Sequence, residues 1–166
     1  MAIKFFNKTE VKTLLWIFGF LILISIPNFR LSIKRAHDAQ RRDALGKITT
    51  FLSEFKNTNS GYPLSDSDGK MIGCDPKTID KVAVYSVCKW EFEFAEEFRY
   101  ISNGNYYQIL GFLEVTEAGS EYDPQVVARN IKCGDKICNT GRASFRTPLD
   151  ISIDEYQNKI DEQNKK

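Results

Sequence analysis

Phe6 to Phe29 reads FNKTEVKTLLWIFGFLILISIPNF, and the fold turns on this stretch. A polar head carrying Glu10 gives way to an apolar run that closes on Pro27-Asn28-Phe29. From Leu14 to Ile26 there is no charge, and only Gly19 and Ser25 depart from strong apolarity. At about 1.5 Å per residue the run covers roughly 20 Å as a helix, short of the roughly 30 Å hydrocarbon core of a bilayer. Val11 to Thr13 below and Pro27 to Phe29 above complete a span, with Lys12 snorkelling back to the headgroups. A cleaved secretory signal is the rival, since Lys4, Lys8 and Lys12 supply a basic region. Yet Ser25-Ile26-Pro27-Asn28 offers no small-x-small cleavage site and the apolar pattern runs past it, so the segment reads as one uncleaved anchor.

Beyond Pro27, apolar residues recur as Phe29, Ile33, Ala36, Ala44, Ile48, Phe51 and Phe55, widened by Leu45 and Leu52. Steps of three and four, interrupted at Gln40, predict an amphipathic helix. Lys34, Asp38 and Arg42 stand at i, i+4 from one another and read as a solvated row on the other face. Pro27 removes a helical hydrogen bond and predicts a kink where the helix leaves the bilayer. The helix should end near Asn57, where Asn57-Thr58-Asn59-Ser60-Gly61 supplies breakers and Pro63 forbids continuation.

Phe6, Glu10, Gly19 and Pro27-Asn28-Phe29 resemble, at matching spacing, the N-terminal signature of type IV pilins and type II secretion pseudopilins. Ala36 to Leu45, together with the later Asn59-Ser60-Gly61-Tyr62-Pro63, is similar to that family's amphipathic helix and its glycine-tyrosine-proline exit. The resemblance covers Phe6 to about Pro63. It implies an α+β, pilin-like fold: a long N-terminal helix, membrane-spanning in its first half and kinked near Pro27, packed on a small antiparallel β-sheet. It also implies a structural filament subunit rather than an enzyme. The partners implied are other pilin or pseudopilin subunits, an inner-membrane assembly platform, a prepilin peptidase and membrane lipid.

The assembly residues implied by the resemblance are Phe6, Glu10, Gly19 and Pro27. Phe6 begins the mature chain, Glu10 meets the free N-terminal amine of a neighbouring subunit, and Gly19 and Pro27 bracket a stretch that some relatives melt on assembly. Glu10 also carries an argument of its own. Its helical neighbours Phe6, Asn7, Thr13 and Leu14 include no basic side chain, and an unpaired carboxylate in a bilayer costs at least a few kcal/mol. An intermolecular partner is therefore expected; the bland reading leaves Glu10 solvated among headgroups beside Lys8 and Lys12. One position departs from the family. Prepilin peptidases usually cut after glycine, and Phe5 precedes Phe6 here. Without a free amine at Phe6 the Glu10 pairing loses its usual partner, which points to a minor, atypical or non-polymerising member. The alternative function is a single-pass surface protein that uses the helix only to tether a binding or adhesive domain.

A net charge of +1 gives no long-range pull toward nucleic acid. All four cysteines, Cys74, Cys88, Cys133 and Cys138, lie beyond the apolar segment, an even number that favours disulfides in an oxidising compartment. Three pairings are open. Structural zinc is the rival, but no C-x-x-C knuckle is present. Arg30, Lys34, Arg35, Arg41 and Arg42 after the span would place the C-terminal side in the cytoplasm by the positive-inside rule. The cysteines and the resemblance override this, so a single-pass protein with an exported C-terminal domain, and a surface filament, is expected.

The chain then divides as 1–29, head and transmembrane half; 30–57, amphipathic half; 58–150, sheet and loops; 151–166, tail. Strands are expected over Val82 to Cys88, Glu97 to Ser102 and Tyr106 to Val115, with Asn103-Gly104-Asn105 as a hairpin turn and a further short strand near Val126 to Ile131. Ser152 with Glu155 forms a capping box before a short terminal helix. Asp66-Ser67-Asp68-Gly69 fails as a calcium loop because Leu64 stands where the first carboxylate belongs, and reads as a turn. His37 is a lone, solvated histidine. No catalytic, metal or cofactor constellation emerges from the sequence.

Overall fold

The structure, a computed structural model, describes residues 7–74, 87–116 and 121–165. One α-helix, α1, runs over Lys8–Asn59. Helical geometry continues through Pro27 without a break. Polar side chains of the apolar half turn back on their own helix, the Ser25 hydroxyl donating to the Leu21 carbonyl at 2.7 Å and the Asn28 amide to that of Ile24 at 3.4 Å. Such bonds to the i−4 carbonyl let a polar side chain sit in an apolar span with its groups satisfied. Compact packing divides the chain into two units, residues 1–37 and 38–166.

In the second unit α1 supplies the core. Asp38, Arg41, Leu45, Ile48 and Leu52, spaced three or four apart, are all at most 2% exposed. The buried stripe is thus centred on Leu45 and Leu52, with Phe51 buried beside them and Phe55 half-buried. Against it lie the strands β3 (Phe98–Ser102) and β4 (Tyr107–Gly111), which bring Tyr100, Tyr107 and Ile109 into the same cluster. The row of Lys34, Asp38 and Arg42 does not hold as a solvated face, because Asp38 belongs to the buried stripe.

The central sheet is antiparallel, in the order β3-β4-β7, with β7 at Thr140–Ala143. Two short antiparallel pairs flank it: β1 (Leu64–Ser65) with β2 (Met71–Ile72), and β5 (Lys132–Cys133) with β6 (Lys136–Ile137). This is the expected α+β fold. The β3–β4 hairpin turns at Asn103 to Tyr106, and the positive φ of 88° at Gly104 alone fits a II′ turn.

The sequence Gly61-Tyr62-Pro63 finds its physical reason at this turn. The Tyr62 N–H donates to the Gly104 carbonyl at 2.7 Å, and a Cβ on Gly61 would meet that same oxygen at 3.1 Å. The Pro63 carbonyl accepts the buried Tyr100 hydroxyl at 2.7 Å, while the Tyr62 ring meets Tyr107 edge-on. The exit of α1 is therefore stitched to the hairpin tip.

Several expected strands are corrected. β4 stops at Gly111 rather than Val115, because from Leu113 onward side chains, not a neighbouring strand, take the backbone hydrogen bonds. The Asn139 side chain both accepts from and donates to the Leu113 backbone, and Asp38 accepts the N–H groups of Glu114 and Val115. Glu97 belongs to a 3-10 turn, Ala95–Glu97. The strand expected near Val126 is instead helix α2, Pro124–Ala128: Asp123 caps it by accepting the Gln125 N–H, and Pro124 fits its first turn. Val87 and Cys88 are helical, and residues 82–86 of that expected strand lie outside the described residues.

The terminal helix α3, Ile153–Asn164, starts at Ser152, whose hydroxyl accepts the Glu155 N–H. Buried Gln108 on β4 donates to the Ile151 carbonyl and accepts from Arg129, which fixes the approach to α3. Asp66 to Gly69 is a turn, closed by the Lys70 N–H on the Asp66 carboxylate.

Candidate functional site

From Val11 to Ile26 the helix presents an apolar surface whose side chains are all exposed. Trp16 is 82% exposed, Leu23 70% and Phe29 68%, and none of the most apolar window of α1 is buried. In water each large aliphatic or aromatic side chain left in this state forgoes about 1.5–3 kcal/mol. An exposed contiguous apolar surface of this kind marks a membrane or interaction face. α1 is long and apolar enough to cross a membrane.

Gly19 shapes that face. Nothing lies within 4 Å of where its Cβ would stand, and Leu15, Trp16, Gly19, Phe20 and Leu23 line a shallow apolar groove. These residues occupy two adjoining i, i+4 ridges of the helix, so the groove can receive a ridge from another helix or an acyl chain.

Glu10 has a partner within its own chain. Its carboxylate accepts the backbone N–H of Asn7 at 2.7 Å, while the Asn7 side chain accepts from the Lys8 N–H at 2.9 Å. This is one half of a capping box, in which the third helical residue reaches back to satisfy an orphan donor, and a negative charge here also complements the helix dipole. The partner is a backbone N–H rather than a basic side chain, and Asn7 with Glu10 three residues on is the sequence signature of such a cap. Phe6 lies outside the described residues. Pro27 sits within continuous helix, eight residues beyond Gly19.

The cysteines are paired locally, Cys74 with Cys88 and Cys133 with Cys138, at Cα separations of 5.6 and 5.1 Å. Both distances lie within the range a disulfide bridges. The second bond closes the β5–β6 hairpin; both of its cysteines are buried and pack with Leu110 and Val126.

Sequence reasoning missed the charged cluster at the start of the second unit. Arg41, 2% exposed, bonds Asp38, Glu97 and Glu114 and stacks its guanidinium 4.7 Å from the Phe94 ring centre. Burial works against its charge, but the hydrogen bonds and charges of Glu97, Glu114 and Asp38 outweigh this and raise its pKa above the ordinary value. The clue was the gap in the apolar stripe at Gln40. Asp38 and Arg41 continue the three-and-four spacing through that gap as buried ions. The cluster binds the helix to the backbone after β4; among the described residues no His, Cys, Asp or Glu group could hold a metal ion.

No protein-family model matches the chain, and neither a curated protein nor a solved structure matches it. The long apolar N-terminal helix and the small sheet are compatible with a pilin-like fold.

Proposed function

We propose that the chain is a pilin-like or pseudopilin-like structural subunit of a type IV pilus or a type II secretion-type filament. The observation that carries this reading is the uncovered apolar face from Val11 to Phe29, borne by the same helix that supplies a domain core further along. A bilayer covers that face before assembly and neighbouring helices cover it afterwards. The paired cysteines favour export of the domain. Partners are other pilin or pseudopilin subunits, an inner-membrane assembly platform and lipid. Catalysis plays no part in it.

The cap bond from Glu10 favours a second reading, a single-pass tether for a binding or adhesive domain. Glu10 already has a use that needs no neighbour, and Phe5 stands where the peptidase expects glycine. Glu10→Gln tests the part of Glu10 in assembly, because glutamine keeps the cap bond and removes the charge. If Glu10 pairs with a neighbour, the variant stays in the membrane and the sheared surface fraction loses the protein. Surface filaments at wild-type abundance would instead limit Glu10 to capping.

A further inference from the structure

The hairpin tip contains Asn103-Gly104, the dipeptide with the least steric hindrance to asparagine cyclisation. In that reaction the Gly104 amide nitrogen loses its proton and attacks Cγ of Asn103. The bond to the side-chain nitrogen breaks and ammonia leaves. Water then opens the five-membered imide at either carbonyl, giving aspartate or isoaspartate. No reactant besides water is needed.

Three sets of contacts hold the reacting groups apart. The Gly104 N–H donates to the Ser102 hydroxyl at 3.1 Å. The Asn103 side-chain oxygen accepts from the N–H groups of Asn105 and Tyr106 at 3.1 and 3.0 Å, which fixes the carboxamide. The Gly104 carbonyl is held at 2.7 Å by the Tyr62 N–H at the exit of α1. Ring closure requires the 103–104 peptide to rotate, which breaks the first contact and shifts Gly104 against the third, which holds the carbonyl of the next peptide. From this we infer that Asn103 is a latent deamidation site kept closed by the docking of the hairpin on Gly61-Tyr62. The isoaspartyl product would add a main-chain carbon to a tight turn whose register Asn103 sets by donating to the Tyr106 carbonyl. Modification is then a one-way record of opening at the joint between helix exit and sheet. The inference is independent of the proposed function.

The test incubates the full chain in detergent, folded and oxidised, beside the same chain unfolded in urea with its disulfides reduced. Peptide mapping reads aspartate and isoaspartate at position 103. The folded chain should modify at least about tenfold more slowly, since cyclisation waits on local opening. Equal rates overturn the inference. Ser102→Ala removes the acceptor of the Gly104 N–H, and should quicken modification in the folded chain several-fold while the far-ultraviolet spectrum stays unchanged. An unchanged rate in that folded variant removes Ser102 from the lock. Should the variant fail to fold, hydrogen exchange at the Gly104 amide of the native chain decides, with protection expected and free exchange contradicting the lock.

Discussion

Residues 8–37 and 38–59 of α1 share one backbone pattern and differ in what covers their side chains. The more apolar stretch is the bare one. In the second stretch apolar side chains at three-and-four spacing disappear into a core with Tyr100, Tyr107 and Ile109. In the first, even Trp16 and Leu23 are left exposed. Hydrophobicity alone therefore does not decide which half joins the domain. An all-round apolar helix suits an apolar solvent or a crowd of other helices, whereas a one-sided stripe suits a single sheet.

The sharpest way to break this contrast is at the buried ions that open the second stretch. Arg41→Ala leaves Asp38, Glu97 and Glu114 without their shared cation and should lower the unfolding free energy by about 3–5 kcal/mol, read by urea denaturation. A loss within experimental scatter would mean that the cluster contributes no more than a surface pair.

A paired truncation sharpens the same contrast. Leu52→Ala should cost about 2–5 kcal/mol of domain stability, and Leu23→Ala less than about 0.5 kcal/mol in the same denaturation. Equal costs would show that the bare half contributes to the domain's stability as the buried half does.

The smallest effect is on alkaline stability. Burial pushes the Tyr107 phenol up to about 12 from the ordinary 10, with the nearby Tyr62 adding to the rise. A raised pKa means that the folded chain holds the proton more tightly, so this contribution is intact below pH 10 and is lost as pH climbs from 10 toward 12. Melting temperatures across that window should fall, and Tyr107→Phe should flatten the fall.

The fold was legible wherever one spacing ran unbroken. The span, the amphipathic continuation, the Asn103-Gly104-Asn105 turn and the Ser152 cap each announce themselves in a few neighbouring residues. What failed was long-range. Asp38 reads as a surface charge until Glu114 and Val115 bring their N–H groups to it from across the domain. Leu113 to Val115 reads as strand because its pattern is strand-like, yet side chains from Asn139 and Asp38 take its hydrogen bonds. The Asp123-Pro124 start of α2 is a local signal, outweighed in a strand reading by the β-branched pair Val126-Val127. At the candidate site, the apolar face was visible from composition and spacing, and Gly19 from the resemblance. The cap formed by Glu10 was visible too, but only to a reading that treats backbone donors as partners.

The central claim is that the face around Gly19 is covered by other copies of this chain once the protein reaches the surface. A photo-crosslinking residue at Trp16, activated in intact cells, reports directly on what covers it. Adducts between copies in the sheared surface fraction, with lipid adducts confined to the membrane pool, are the predicted result. Lipid adducts alone, in a chain that never leaves the membrane fraction, would contradict assembly and leave the helix as a tether.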